Sequence, residues 1–142
     1  MSDEVLFFQE FYITGGDFSS AGTVSTEIKS ILKEIGFHPT VVRRAAIACY
    51  EAEMNVTMYA ERGTVRLSAS PAAIKVQFED RGPGIADISL AMQEGYSTAT
   101  PEMREIGFGA GMGLPNIKKN SDVFDLSSDV GKGTTLDITI NA

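Results

Sequence analysis

Apolar residues recur along this chain either at every second position or at every third to fourth, and the switches between the two periods divide it into elements. From Val5 to Ile13 the segment VLFFQEFYI is β-branched and aromatic and ends at Gly15-Gly16, which predicts a first strand and its turn. Between Thr23 and Ile35, Val24, Ile28, Ile31, Leu32 and Ile35 stand at helical spacing, with Gly36 as the stop. Pro39-Thr40 opens a longer, mostly buried helix, rich in Ala and Met, that runs to Ala60. Then the period changes. Val65, Leu67 and Ala69 alternate with polar residues, as do Ile74, Val76 and Phe78, with Pro71 at the turn, so a hairpin with one apolar face follows. The polar stretch from Gly84 to Gly107 contains Pro101 and reads as a long loop holding one short helix, Asp87 to Glu94. Loops of that length are usually functional or disordered. A helix from Leu114 to about Ser121 and two strands, Val123 to Ser127 and Thr134 to Ile140, close the chain. Strands with one apolar face need a cover and the two long helices supply it, so the fold class is α/β, a two-layer sandwich.

Length and composition narrow this picture. The 142 residues make one domain, 1–142, large enough to fold without disulfides or a structural metal. Cys49 has no partner in the chain and lies in an apolar helical pattern, which points to a reduced core thiol. His38, the one histidine, precedes Pro39 at a helix start, where a capping or surface role is expected. Twelve Lys and Arg against 19 Asp and Glu give a net charge of −7, which speaks against nucleic acid as a partner. No apolar run is long enough for a membrane span, and the N-terminus opens with acids where a signal peptide carries Lys or Arg; a cytoplasmic protein is expected. Of the 14 glycines, nine lie between Gly82 and Gly133.

Four short segments carry candidate chemistry. Glu51 and Asn55 are four residues apart on the long helix and share a face. A carboxylate there suits a general base and an amide oxygen suits Mg²⁺; read alone, the pair is more simply a solvent-facing stripe beside Arg44 and Glu61. Asp80-Arg81-Gly82-Pro83-Gly84 follows a strand, so Asp80 is placed to accept a hydrogen bond from an exocyclic amine, although alone the segment reads as an ordinary turn. Gly107, Gly109, Gly111 and Gly113 alternate ahead of Leu114-Pro115 and a helix, an arrangement that gathers backbone N–H groups for phosphates. In so acidic a chain, Lys118, Lys119 or Arg104 and a metal would assist. Gly131-Lys132-Gly133-Thr134-Thr135 is by itself a hairpin turn. A Walker A loop is excluded by Leu126 and Gly133, a dinucleotide fingerprint by the polar loop before the glycines, and protein-kinase signatures by the absence of H-R-D and D-F-G.

In order, E-x-x-x-N, D-x-G-x-G, G-x-G-x-G-L and G-x-G-T-T resemble the N, G1, G2 and G3 boxes of the GHKL ATPases, the gyrase, Hsp90, histidine kinase and MutL type. The resemblance covers about Thr40 to Ile140, and EGYSTATPEMREIGFGAGMGLPNIKK is most similar to the stand-alone serine/threonine kinases of bacterial partner switching, the RsbW, SpoIIAB and RsbT type. It implies a Bergerat ATP-binding fold, a mixed, mostly antiparallel sheet with helices on one face and a lid over about 85–108. By position it implies Glu51 as the base toward an acceptor hydroxyl and Asn55 as the Mg²⁺ ligand. Asp80 would take the adenine amine, with Thr134 or Thr135 nearby and Gly82 and Gly84 along the ring; Gly109, Gly111, Gly113 and Leu114 would cradle the phosphates, with Arg104 and Lys118 stabilising charge. Met54 stands where a small or basic residue is expected. The implied partners are an STAS-domain antagonist and a sigma factor or PP2C-type phosphatase, with a homodimer through the aromatic first strand. Two alternatives stand beside the kinase: an ATP-binding, non-catalytic anti-sigma module, and a detached histidine-kinase catalytic domain, which needs an upstream acceptor His that the first 36 residues lack.

Overall fold

The alternating segments pair into one sheet because each leaves an apolar row on the same side. In the computed structural model, which describes residues 4–93 and 113–142, the strands are β1 (Phe7–Thr14), β2 (Arg62–Ala69), β3 (Ala73–Arg81), β4 (Val123–Asp129) and β5 (Gly133–Asn141), in the order β1-β2-β3-β5-β4. Every pairing is antiparallel, so the parallel contribution implied by a mixed sheet is not found among the described residues. The helices are α1 (Thr23–Ile35), α2 (Pro39–Tyr59), the one-turn α3 (Ile88–Ala91) and α4 (Gly113–Lys119). Asp87 caps α3, its side chain accepting from Leu90 N at 3.0 Å, and Glu94, expected to end that helix, lies outside the described residues.

The core is the interface between the apolar sheet face and two helices. Val65, Leu67, Ile74, Val76, Phe78, Leu136, Ile138 and Ile140 are buried against Ile28 and Leu32 of α1 and Ala45, Ala48, Cys49 and Val56 of α2. Each such aliphatic side chain contributes about 1.5–3 kcal/mol by leaving water. The opposite face is polar: Arg66 spans Glu10, Gln77 and Glu79 on neighbouring strands. β1 is an edge strand, and its outward Phe8 and Tyr12 are 58% and 73% exposed. His38 caps α2 as expected, Nδ1 accepting from Thr40 N at 3.1 Å. No helix among the described residues is long and apolar enough to cross a membrane.

One buried carboxylate joins the two helices. The first turn of α1 has no acidic residue, and its N-cap, Gly22, has no side chain to offer. The unpaired N–H groups of that turn therefore need an acceptor from elsewhere. Glu53 of α2, 1% exposed, supplies it: Oε2 accepts from Gly22 N at 3.0 Å and Val24 N at 3.2 Å, and Oε1 from Ser25 N at 2.8 Å. One turn away, Cys49 is fully buried. Burial, followed by the charge of Glu53, pushes its thiol up to about 12. The thiolate is the reactive form, so Cys49 is expected to resist iodoacetamide in the native protein and to react at the rate of a free thiol once denaturant unfolds it. Mass spectrometry across a denaturant series measures this.

Candidate nucleotide site

The site begins on α2, where the four-residue interval sets Glu51 and Asn55 on one face. Residues of α4 cover that face. A Cβ built on Gly113 would stand 3.2 Å from Asn55 Oδ1 and 3.5 Å from Glu51 Oε2, so only a residue without a side chain lets the start of α4 seat this closely. Three residues along α4, the Asn116 side chain hydrogen-bonds to Glu51. The Glu51 carboxyl is half-buried, and burial raises its pKa above the ordinary value against the smaller lowering effect of Asn116. A carboxyl displaced in this direction takes up a proton more readily than an exposed one, as a general base requires. The pair is therefore no solvent-facing stripe.

The second half forms where β3 and β5 end. Asp80 lies on the helix-covered side of β3, and its Oδ1 accepts from Thr134 N of β5 at 3.1 Å. Burial raises its pKa, partly offset by that backbone hydrogen bond. Gly82 N donates to Lys132 O at 3.1 Å and Gly131 N to Pro83 O at 2.8 Å, so the segments 80–84 and 131–135 are tied together. At Gly84, φ is +75° and a Cβ would run into the Asp129 carbonyl, which fixes glycine there on two counts. Gly82 also abuts Tyr59 and Ala60, at the end of α2 one turn beyond Asn55. Three of the four motifs thus reach α2 or each other through direct contacts, and Gly113 of the remaining one joins them.

Not every expected residue is brought in. The alternation of β5 that buries Leu136, Ile138 and Ile140 puts Thr134 with Asp80 and turns Thr135 to the other face, opposite Glu79. Lys118 is exposed and, two residues past Asn116, about 200° around α4 from it. Leu114 is half-buried against the core. Arg104, Gly109 and Gly111 lie outside the described residues, as does most of the expected lid. One contributor escaped the motif reading: Ser128 of β4, whose Oγ accepts from Ile85 N at 2.7 Å and lies 2.9 Å from Thr134 Oγ1, pinning the entry to the 85–93 segment against the Asp80 strand pair.

The donor set bears on a metal. The described residues contain no cluster of three or more His, Cys, Asp or Glu able to hold one. Mg²⁺ asks for less: one or two protein oxygens, the remainder coming from phosphates and water. Asn55 Oδ1 beside a half-buried carboxylate fits that demand.

Residues 40–142 match the family described as histidine kinase-, DNA gyrase B-, and HSP90-like ATPase, and the chain belongs to this family of ATP-binding folds. Within it the chain is 33% identical over 112 residues to the serine/threonine-protein kinase RsbT of Bacillus subtilis (strain 168), which covers 76% of this chain and 78% of that protein. It is 29% identical over 119 residues to an anti-sigma F factor of Thermoanaerobacter sp. (strain X514), covering 81% of this chain and 76% of the relative. An anti-sigma F factor of Caldanaerobacter subterraneus subsp. tengcongensis is 28% identical over the same shares.

Proposed function

We propose that the protein is a Mg²⁺-ATP-dependent serine/threonine kinase of a bacterial partner-switching system, acting in the cytoplasm on an STAS-type antagonist and thereby on a sigma factor or phosphatase. One observation carries the reading: the Glu51–Asn55 pair under Gly113 and the Asp80–Thr134 pair are anchored around the same half of α2. The likeness to RsbT supports the transfer activity and the likeness to anti-sigma F factors the partner role.

In this reading Asp80 accepts the exocyclic amine of adenine, while the backbone around Gly82 lets the ring approach. Gly113, with Gly109 and Gly111 before it, faces the phosphates, and residues 85–108 close over them with Arg104 available to the transferring group. Glu51 takes the proton of the acceptor hydroxyl as the new oxygen–phosphorus bond forms and the bond to ADP breaks. Mg²⁺, held by Asn55, neutralises phosphate charge when bound. The chain's own contribution is position and a base of adjusted pKa, which is most of what phosphoryl transfer needs from a protein.

Adenine selectivity tests the assignment of Asp80. Adenine offers an amine donor where guanine has a carbonyl, so the carboxylate that binds one repels the other. A hydrogen bond to a charged group contributes about 1.5–3 kcal/mol, so Asp80→Ala is expected to weaken ATP binding by roughly 10- to 150-fold. Isothermal titration with ATP and GTP measures both; equal affinity for the two nucleotides in the unaltered protein contradicts the assignment. Transfer of the terminal phosphate from ATP to serine or threonine of an STAS-domain protein tests the activity, and partner binding without any transfer would favour the non-catalytic module.

A further inference from the structure

The apolar face of the sheet ends on a polar row. Cross-strand pairing stacks Leu67, Val76, Ile138 and Phe124, then Val65, Phe78, Leu136 and Leu126, and then Gly63, Asp80, Thr134 and Ser128, all on the helix-covered side. The first two rows are core. In the third, Asp80 Oδ1 is taken by Thr134 N, and Oδ2 has no partner among the described residues. Ser128, half-buried at the end of the row, makes three contacts through one oxygen. It accepts from Ile85 N at 2.7 Å, donates to Gly133 O at 3.0 Å and lies 2.9 Å from Thr134 Oγ1. A serine hydroxyl holds one proton and two lone pairs. An amide N–H can only donate and a carbonyl oxygen can only accept, so Gly133 O takes the proton and Ile85 N–H one lone pair. What remains for Thr134 is the other lone pair, and the Thr134 proton goes to it. Thr134 Oγ1 is then left with lone pairs alone, and its neighbour Asp80, when ionised, is acceptor-only as well. The bonds to Ile85 and Gly133 suffice to hold the chain here; the third contact fixes a polarity that folding does not call for.

We propose that Ser128 is a positioning residue for base recognition: it holds the Thr134 proton, keeps that hydroxyl an acceptor beside Asp80, and so selects a purine edge bearing an amine over one bearing a carbonyl. This deepens the nucleotide reading and rests on it, since Asp80 must be the group that meets the base. An exocyclic amine has two N–H groups to give to two acceptors. A carbonyl oxygen in the same place meets lone pairs on both sides, and a site built to bind an N–H rejects the analogue that lacks it. Without the Ser128 hydroxyl, Thr134 is free to turn its proton towards the ligand and to donate to that carbonyl. Ser128 also holds Ile85, so its loss loosens the segment leading to α3. That second effect is blind to the base, and it weakens the binding of amine-bearing and carbonyl-bearing nucleotides alike.

The ratio of affinities for ATP and inosine triphosphate, which carries a carbonyl in place of the amine, separates the two effects. Isothermal titration with both nucleotides is expected to show Ser128→Ala losing about three- to tenfold of the preference for ATP, the range of one neutral hydrogen bond. Ser128→Cys keeps the volume with a thiol that hydrogen-bonds weakly, and reads the same ratio should the alanine variant not fold. A double-mutant cycle with Thr134→Val assigns the route: where no Thr134 hydroxyl exists, Ser128→Ala is expected to leave the ratio within about twofold. An unaltered protein that binds ATP and inosine triphosphate equally, or neither, contradicts the assignment of Asp80 and removes the proposal with it. An unaltered protein that prefers ATP, with the same preference in Ser128→Ala whatever the loss of affinity, overturns the role of Ser128 and leaves the nucleotide reading standing. A full effect of Ser128→Ala persisting in the Thr134→Val background overturns it equally.

Discussion

Replacing Glu51 by Gln is expected to slow phosphoryl transfer by about 10²- to 10⁴-fold, the usual contribution of a positioned general base, while ATP affinity changes by less than about threefold. The substitution keeps the size of the side chain and one acceptor oxygen for Asn116, so α4 stays seated, but it removes the proton acceptor. The pH dependence carries the same information. Burial raises the Glu51 pKa, and only the ionised form accepts a proton, so the acid limb of the rate profile lies at higher pH than an exposed glutamate would set it. Asn116 opposes that rise, so Asn116→Ala moves the limb to higher pH. Stability responds with the opposite sense to activity. A carboxyl whose folded pKa is raised contributes stability that is complete below its unfolded pKa and is lost as pH climbs through the folded one. Glu51→Gln should therefore be at least as stable as the unaltered protein at neutral pH, with the difference vanishing in acid. A variant that lost both activity and stability would place Glu51 in the scaffold instead.

Glu53→Ala is expected to lose about 3–5 kcal/mol of folding stability. Three backbone N–H groups at the start of α1 give up their acceptor at once, and each buried donor left unpaired costs about 1–3 kcal/mol. For a chain of this size that corresponds to a fall in melting temperature of roughly 10 °C or more. Calorimetry measures it directly, and the alkylation of Cys49, one turn away, reports the same opening chemically. Glu53→Gln retains one acceptor oxygen and is expected to fall between the two. A loss below about 1 kcal/mol for the alanine variant would mean that water or the Ser25 hydroxyl takes over the cap.

The two positions are separated by one residue, and they differ in how far the sequence discloses them. Glu51 belongs to a local interval with Asn55, which helical geometry places on one face whatever else happens. Glu53 acts on a turn 28–31 residues upstream, and no spacing along α2 announces it. The available signal was negative: Gly22 and the residues after it offer α1 no acidic cap. α1 was legible to its ends because Gly36 stops an unbroken 3.6 period; β2 and β3 were legible at the turn they share, but β2 begins at Arg62 and β3 runs to Arg81, beyond the apolar alternation that starts at Val65 and ends at Phe78. β1 slid by one or two residues at each end, since VLFFQEFYI is apolar on both faces and pairing with β2, rather than pattern, sets its limits. The choice between Thr134 and Thr135 was in the sequence, in the alternation of Leu136, Ile138 and Ile140 that fixes which threonine shares a face with Asp80. Ser128 was not, because its role depends on the β4–β5 pairing that brings it to Thr134.

Binding of Mg²⁺-ATP to the purified chain tests the central claim, that these motifs converge on one nucleotide site. Isothermal titration is expected to give a single ATP per chain, a selectivity for ATP over GTP of about tenfold or more, and loss of that selectivity in Asp80→Ala with retention of the fold. A chain that folds, melts cooperatively and takes up no ATP would contradict it.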